Sequence, residues 1–119
     1  MKKTKSFTVN FIDPQGNTVT SEFVLRKPTI QDRIRINQLK KTFNQDYNDI
    51  EAENIALILA TISVLGEKIP SWYSIQDLDE TFLKVLTDLY YRFIAWRDEE
   101  SYKIIPEIEN KSQRPSAES

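Results

Sequence analysis

Two short stretches near the N-terminus alternate between apolar and polar residues. The first spans residues 6–12 and the second residues 18–26, and a period of two is typical of half-buried β-strands. The residues between them suit a turn, because Pro14 presets its own φ angle and Gly16 tolerates a positive one. The pattern therefore predicts a β-hairpin over residues 6–26, which must pack on helices or further strands because a lone hairpin is marginally stable. Its apolar side consists of Phe7, Val9, Phe11, Val19, Phe23 and Leu25.

Two helical patterns follow the hairpin. A first helix is predicted over about residues 30–43, because Thr29 and Asp32 just before and inside it have the spacing of a capping box. A second is predicted over about residues 51–65, with Gly66 placed to end it as the C′ residue. The apolar residues of this second helix go nearly all the way round, so it must be covered on every side. We expect either a central core helix or one that a neighbouring molecule partly covers.

A third helix is predicted over about residues 75–100. Ser74 and Asp77 repeat the capping-box spacing at its start, and apolar residues then recur every three or four positions. A helix of about 25 residues is about 37 Å long, which is more than the core of a domain of this size needs. Part of this helix is therefore expected to project and to offer apolar surface to a partner.

These elements together predict an α+β fold, in which an N-terminal β-hairpin is followed by a mainly α-helical bundle of three or more helices. We expect a flexible N-terminus over residues 1–5, a single domain over residues 6–101 and a C-terminal tail over residues 102–119. The residues from Asn110 onward are almost all polar, which predicts that the tail is disordered at its end.

The composition removes most catalytic chemistry. The chain has no Cys and no His, so it lacks disulfides, thiolate nucleophiles and the commonest general base and metal ligand. Its two glycines are too few for a glycine-rich phosphate loop. A calcium loop that starts at Asp46 would have Ile50 and Glu51 where an oxygen ligand and a glycine are needed. We predict a protein that is not an enzyme and that binds neither a cofactor nor a metal.

Charge is unevenly distributed along the chain. Residues 1–44 hold nine Lys/Arg and three Asp/Glu, a balance of +6, whereas residues 45–119 hold seven and fifteen, a balance of −8. Such a split either pairs within the molecule or supports head-to-tail stacking of copies. No apolar run of signal-peptide length follows the basic start at residues 1–5. We therefore expect a cytoplasmic protein that does not associate with membranes.

Three motifs occur in a recognisable order. Arg26-Lys27-Pro28-Thr29-Ile30-Gln31-Asp32 follows the hairpin, an Ile-Pro-x-Trp loop lies at residues 69–72, and an aromatic segment at residues 90–96 ends the long last helix. Over residues 20–100 this order resembles the tail assembly chaperones of long-tailed bacteriophages. The resemblance implies a non-enzymatic protein that binds and solubilises the tape-measure protein and helps to recruit tail-tube subunits. It also implies possible head-to-tail homo-oligomers, and host-cell cytoplasm as the location.

That family has no well-defined binding motif, so partner-binding residues are nominated from the apolar positions that we expect to be exposed. One position lies in the Ile-Pro-x-Trp loop and the others lie on the last predicted helix. The nominated residues are Trp72, Tyr90, Tyr91, Ile94 and Trp96.

Two other classes of protein stay open. A structural virion or connector protein would use the same surfaces permanently and would remain in finished particles. A small DNA-binding regulator would use the basic helix at residues 30–43, which carries Arg33, Arg35, Lys40 and Lys41. No aromatic residues interleave with these charges and the whole chain has a net charge of −2, so nucleic acid is the partner that we expect least.

Overall fold

The computed structural model describes residues 3–44 and 49–106 of the chain, and it combines one sheet with three α-helices. The predicted α+β composition and the N-terminal hairpin are confirmed, whereas a bundle of three or more helices is not. Helix α1 packs against α2, while α3 contacts both β1 and α2, the latter less extensively than α1 does. In chain order the elements are β1 (Thr4–Ile12), β2 (Thr18–Arg26), α1 (Ile30–Phe43), α2 (Ile50–Leu65), β3 (Gly66–Lys68), a 3₁₀ turn (Glu80–Phe82) and α3 (Leu83–Glu99).

The hairpin forms as its local chemistry predicts. Strands β1 and β2 pair antiparallel with Phe7 opposite Phe23, so both rings lie on the side of the sheet that the helices cover. In the turn, the carboxylate of Asp13 accepts hydrogen bonds from the amides of Gln15 and Asn17, at 3.0 and 2.8 Å. Gly16 has a φ of 89°, a backbone conformation that favours glycine.

A third strand, β3, was not predicted from the sequence. It follows α2 directly and pairs antiparallel with β2, with Gly66 opposite Leu25. Gly66 is extended, with φ −70° and ψ 114°, so it is not the left-handed C′ residue that its position after a helix suggested. A Cβ atom there would lie 2.8 Å from the carbonyl oxygen of Ile62 and 2.8 Å from the side chain of Ile69. Close packing therefore accounts for the glycine.

The predicted start of the third helix at residue 75 is wrong. The amides of Asp77 and Leu78 both donate to the carbonyl oxygen of Ser74, at 2.9 and 3.0 Å, and close a single turn. The side chain of Asp79 then caps the 3₁₀ turn that leads into α3. Helix α3 has 17 residues and is about 26 Å long, so the surplus length that predicted a projecting end is absent.

The N-terminal end also differs from the prediction. Thr4 and Lys5 belong to β1, so residues 1–5 are not a flexible segment as a whole, and the ammonium of Lys3 pairs with the carboxylate of Glu100. Residues 102–106 have no regular secondary structure. The disorder predicted from Asn110 onward lies outside the described residues.

The core lies where the helices meet the covered face of the sheet. Helix α2 supplies much of it, and some of its side chains stay half-buried, so partial cover of this helix by a neighbouring molecule stays a prediction. Burying one large apolar side chain stabilises the fold by about 1.5–3 kcal/mol. No helix among the described residues is long and apolar enough to cross a membrane. The most deeply buried large side chains are Phe23, Leu25, Ile62, Leu65, Leu86, Leu89 and Phe93.

Candidate functional site

A groove opens between the N-terminal halves of α2 and α3. Toward their C-terminal ends, Thr61, Leu65 and Phe93 help to line a crevice of only about 10 Å³. Toward their N-terminal ends the two helices line a groove of about 600 Å³. This groove is lined by Glu51, Asn54, Ile55, Leu57 and Ile58 of α2, and by Leu83, Lys84, Thr87, Asp88, Tyr90 and Tyr91 of α3.

Apolar side chains from both helices line the groove, and polar ones accompany them. Ile55 and Leu83 are half-buried and Tyr91 is 67% exposed, so a ligand that covers them removes apolar surface from water. The ring of Tyr90 lies 6.0 Å from that of Tyr91. Tyr90 is half-buried, and this burial raises the pKa of its hydroxyl. The groove therefore offers an apolar floor with hydrogen-bonding groups near it.

Among residues 3–44 and 49–106, no three His, Cys, Asp or Glu side chains are grouped so as to hold a metal ion. An elongated apolar trough between two helices has the form that receives the apolar stripe of an amphipathic helix, whose anchors recur every three or four residues. That the chain is not an enzyme stays a prediction.

Two of the five nominated residues, Tyr90 and Tyr91, line this groove. Ile94 is half-buried and lines the narrow crevice farther along α3. The groove also contains Ile55 and Leu83, which were not nominated from the sequence. For Ile55 the sequence did contain a signal, namely the apolar residues that go nearly all the way round α2. That signal does not show which side of the helix stays open.

Trp96 is not an exposed residue, so the nomination of its side chain as partner-binding surface rested on a wrong expectation. It is 8% exposed, and its ring packs edge-on against Phe7 with centroids 6.2 Å apart. Phe93 lies on its other side at 6.1 Å. Trp96 thus anchors α3 to β1.

Trp72 closes one end of the core. Its indole stacks on Phe82 with centroids 4.9 Å apart, and it meets Phe11 and Phe23 edge-on at 5.5 and 5.7 Å. The indole N–H donates to the hydroxyl of Ser21 at 2.8 Å. Because its ring and its polar group are engaged by residues of the fold, Trp72 contributes to the packing of the core.

The motif at residues 26–32 joins the sheet to the helices. Arg26 donates a hydrogen bond to the carboxylate of Asp32, a second to the carbonyl oxygen of Val64 at 3.1 Å, and it pairs with Glu67 at 3.1 Å. Asp32 also forms the predicted capping box with Thr29. Chiefly because Arg26 donates to it, the pKa of the Asp32 carboxyl falls from 3.8 to about 2. This motif therefore holds β2, α1 and the end of α2 together.

The uneven charge is partly paired within the molecule. Lys3 and Glu100, Arg26 and Glu67, and Lys40 and Glu53 each join the basic first part of the chain to the acidic remainder. Internal pairing is therefore present, while head-to-tail stacking of copies stays a prediction.

No family model matches the chain, and no curated protein or solved structure is similar enough to count as a match. The groove between α2 and α3 must therefore be interpreted from its own shape and chemistry.

Proposed function

We propose that this protein is a non-enzymatic assembly chaperone that binds an amphipathic helix of its partner in the groove between α2 and α3. In keeping with the resemblance in the sequence, the partner would be the tape-measure protein of a long-tailed phage. Binding would keep the apolar stripe of that protein in solution until tail-tube subunits are recruited. A cytoplasmic location and head-to-tail self-association belong to the same proposal.

The observation that carries the proposal is the open apolar groove of about 600 Å³. Its α3 wall runs from Leu83 to Tyr91, a rise of about 12 Å, which matches roughly two turns of a bound helix. Two turns present two or three apolar anchors on one side, which suits the spacing of a helix-in-groove complex. Tyr91 is the most exposed apolar residue of the groove, and exposed tyrosines are frequent anchors of interfaces.

The test is co-purification from the native source at moderate salt, with mass spectrometry of the eluate. We expect a long, coiled-coil-rich protein to co-elute with the chain, and the chain itself to be absent from mature particles. Recovery only inside finished particles would favour a structural connector protein instead. Recovery only with nucleic acid would favour a regulator.

A pair of variants tests whether the groove is the site. Tyr91→Ala should weaken capture of the partner about tenfold, equivalent to about 1.4 kcal/mol, without unfolding the chain. Ile30→Ala is the matched control, since Ile30 is 85% exposed at the start of α1 and does not line the groove. Equal capture by Tyr91→Ala and the wild type, with loss in Ile30→Ala, would place the site elsewhere.

A further inference from the structure

The charged side chains around the groove are mostly carboxylates. Glu51 lies on the α2 wall, Asp88 lies on the α3 wall, and Lys84 is the cation beside them. A neighbouring cleft of about 640 Å³ lies between the hairpin turn and the first turn of α3, and it shares Lys84 while adding Asp13 and Asp79. The described residues that line the groove and this cleft therefore include four carboxylates and one ammonium group.

Only some of these carboxylates are available to a ligand. Asp13 accepts amide hydrogen bonds inside the hairpin turn and Asp79 caps the 3₁₀ turn, so both are engaged by the backbone. Glu51 is exposed in the first turn of α2. The side chain of Asp88 is 68% exposed, and it forms an ion pair at 3.1 Å with Arg92, one turn further along α3. Glu51 and Asp88 are thus the acidic groups that a groove occupant meets, one on each wall.

We propose that the groove selects a basic amphipathic helix, and this proposal rests on the proposed function. The apolar stripe of such a helix covers Ile55, Leu83 and Tyr91, while Lys or Arg side chains on its two flanks reach Glu51 and Asp88. Carboxylates on opposite walls suit cations on both flanks of a single helix. A helix with acidic flanks meets repulsion from Glu51 on the α2 wall instead, while Lys84 offsets part of the charge of Asp88 on the α3 wall.

The size of the effect follows from the exposure of the two carboxylates. An exposed ion pair between protein side chains strengthens an interaction by about one- to fivefold, so two pairs together give roughly tenfold discrimination once the repulsion of an acidic helix is included. Salt screens charges at this exposure. As the ionic strength rises, the preference for the basic helix should therefore shrink, and the rate at which that helix associates should fall.

The experiment uses the full chain and two synthetic peptides of about five helical turns with the same apolar stripe. One peptide has Lys flanks and the other has Glu flanks, and dissociation constants are measured by fluorescence anisotropy at low and high salt. We expect the Lys-flanked peptide to bind about tenfold more tightly at low salt. The double variant Glu51→Lys/Asp88→Lys should reverse the preference.

The matched control is Asp98→Lys/Glu99→Lys, which changes the net charge by the same amount at the far end of α3. Both residues lie outside the groove, so this variant should keep the wild-type preference. A reversal in this control as well would mean that overall charge, and not the two walls, sets the selectivity, and it would overturn the proposal.

The remaining outcomes separate this inference from the proposed function. Equal binding of both peptides, weakened in each case by Tyr91→Ala, would overturn the charge selectivity and leave helix binding in place. Binding of neither peptide would overturn both. Self-association of the chain that Glu51→Lys/Asp88→Lys abolishes would assign the groove to a second copy, whose α1 exposes Ile30 and Ile34, and would overturn the assignment to a partner helix.

Discussion

Replacing Asp32 by Asn removes one charge from the ion pair that joins the sheet to α1, with little change in shape. Asp32 is 3% exposed, and an Asn oxygen there still accepts the hydrogen bond that the Thr29 amide donates to the carboxylate at 2.9 Å. Arg26 keeps Glu67 as a second ion-pair partner. Removing one member of a buried pair costs about 3–5 kcal/mol. Because Glu67 still compensates the charge of Arg26, we expect the cost of Asp32→Asn to lie at or below the low end of that range.

The lowered pKa of Asp32 gives a second value for the stability that Asp32→Asn should remove. A carboxyl whose pKa falls from 3.8 to about 2 on folding stabilises the folded state by about 2 kcal/mol at neutral pH. Because the folded pKa is below the unfolded one, this contribution is fully present well above 3.8 and is lost as the pH falls toward 2. We therefore expect Asp32→Asn to lower the free energy of unfolding at pH 7 by about 2–3 kcal/mol.

Urea unfolding of the wild type and Asp32→Asn across the acid range tests this reasoning. The difference between the two should be constant above about pH 5 and should shrink toward pH 2, where Asp32 becomes protonated in the wild type. Asp98→Asn is the control, because Asp98 forms an exposed pair with Arg97 and should change the stability by less than about 1 kcal/mol. An equal difference at pH 7 and pH 2 would refute an electrostatic role for Asp32.

Four further substitutions test the packing at particular residues by urea unfolding. Trp96→Ala should cost about 3–5 kcal/mol because the ring is buried, whereas Tyr91→Ala should change the stability by less than about 0.5 kcal/mol; similar effects of the two would contradict the assignment of Trp96 to the core. Gly66→Ala should cost about 1–3 kcal/mol, since the added Cβ would lie 2.8 Å from the Ile62 carbonyl oxygen, and an unchanged midpoint would contradict that close contact. Trp72→Phe should cost about 1–2 kcal/mol through the lost indole hydrogen bond and ring area, and a neutral result would mean that the indole does not seal the core.

The elements that the sequence predicted well are those whose chemistry is local. The hairpin turn is built by Asp13 and Gly16 within a few residues, and α1 starts where Thr29 and Asp32 cap each other. Strand β3 has no comparable signal, because three residues are too few to show an alternation. It becomes a strand only by pairing with β2, which is distant in sequence.

The start of α3 and the role of its aromatic residues depended on contacts across the fold. Ser74 and Asp79 are both of residue types that cap helices. The structure places the cap at Asp79, directly before the 3₁₀ turn, and Phe82 at the end of that turn stacks on Trp72. The apolar stripe of the last helix is wider than one face, so the sequence does not show which edge is covered. Contact with Phe7 covers Trp96.

The groove is a consequence of how α2 and α3 are connected, and this separates its residues from the motifs found in the sequence. Strand β3 holds the chain on β2 directly after α2, and Trp72 then anchors the connecting loop under the sheet. Helix α3 therefore begins after a loop that is held on the sheet, and its N-terminal half lines the groove together with that of α2. Because the motifs at residues 26–32 and 69–72 build this frame, changes in them should act on stability first, whereas changes at Tyr91 should act on partner affinity alone.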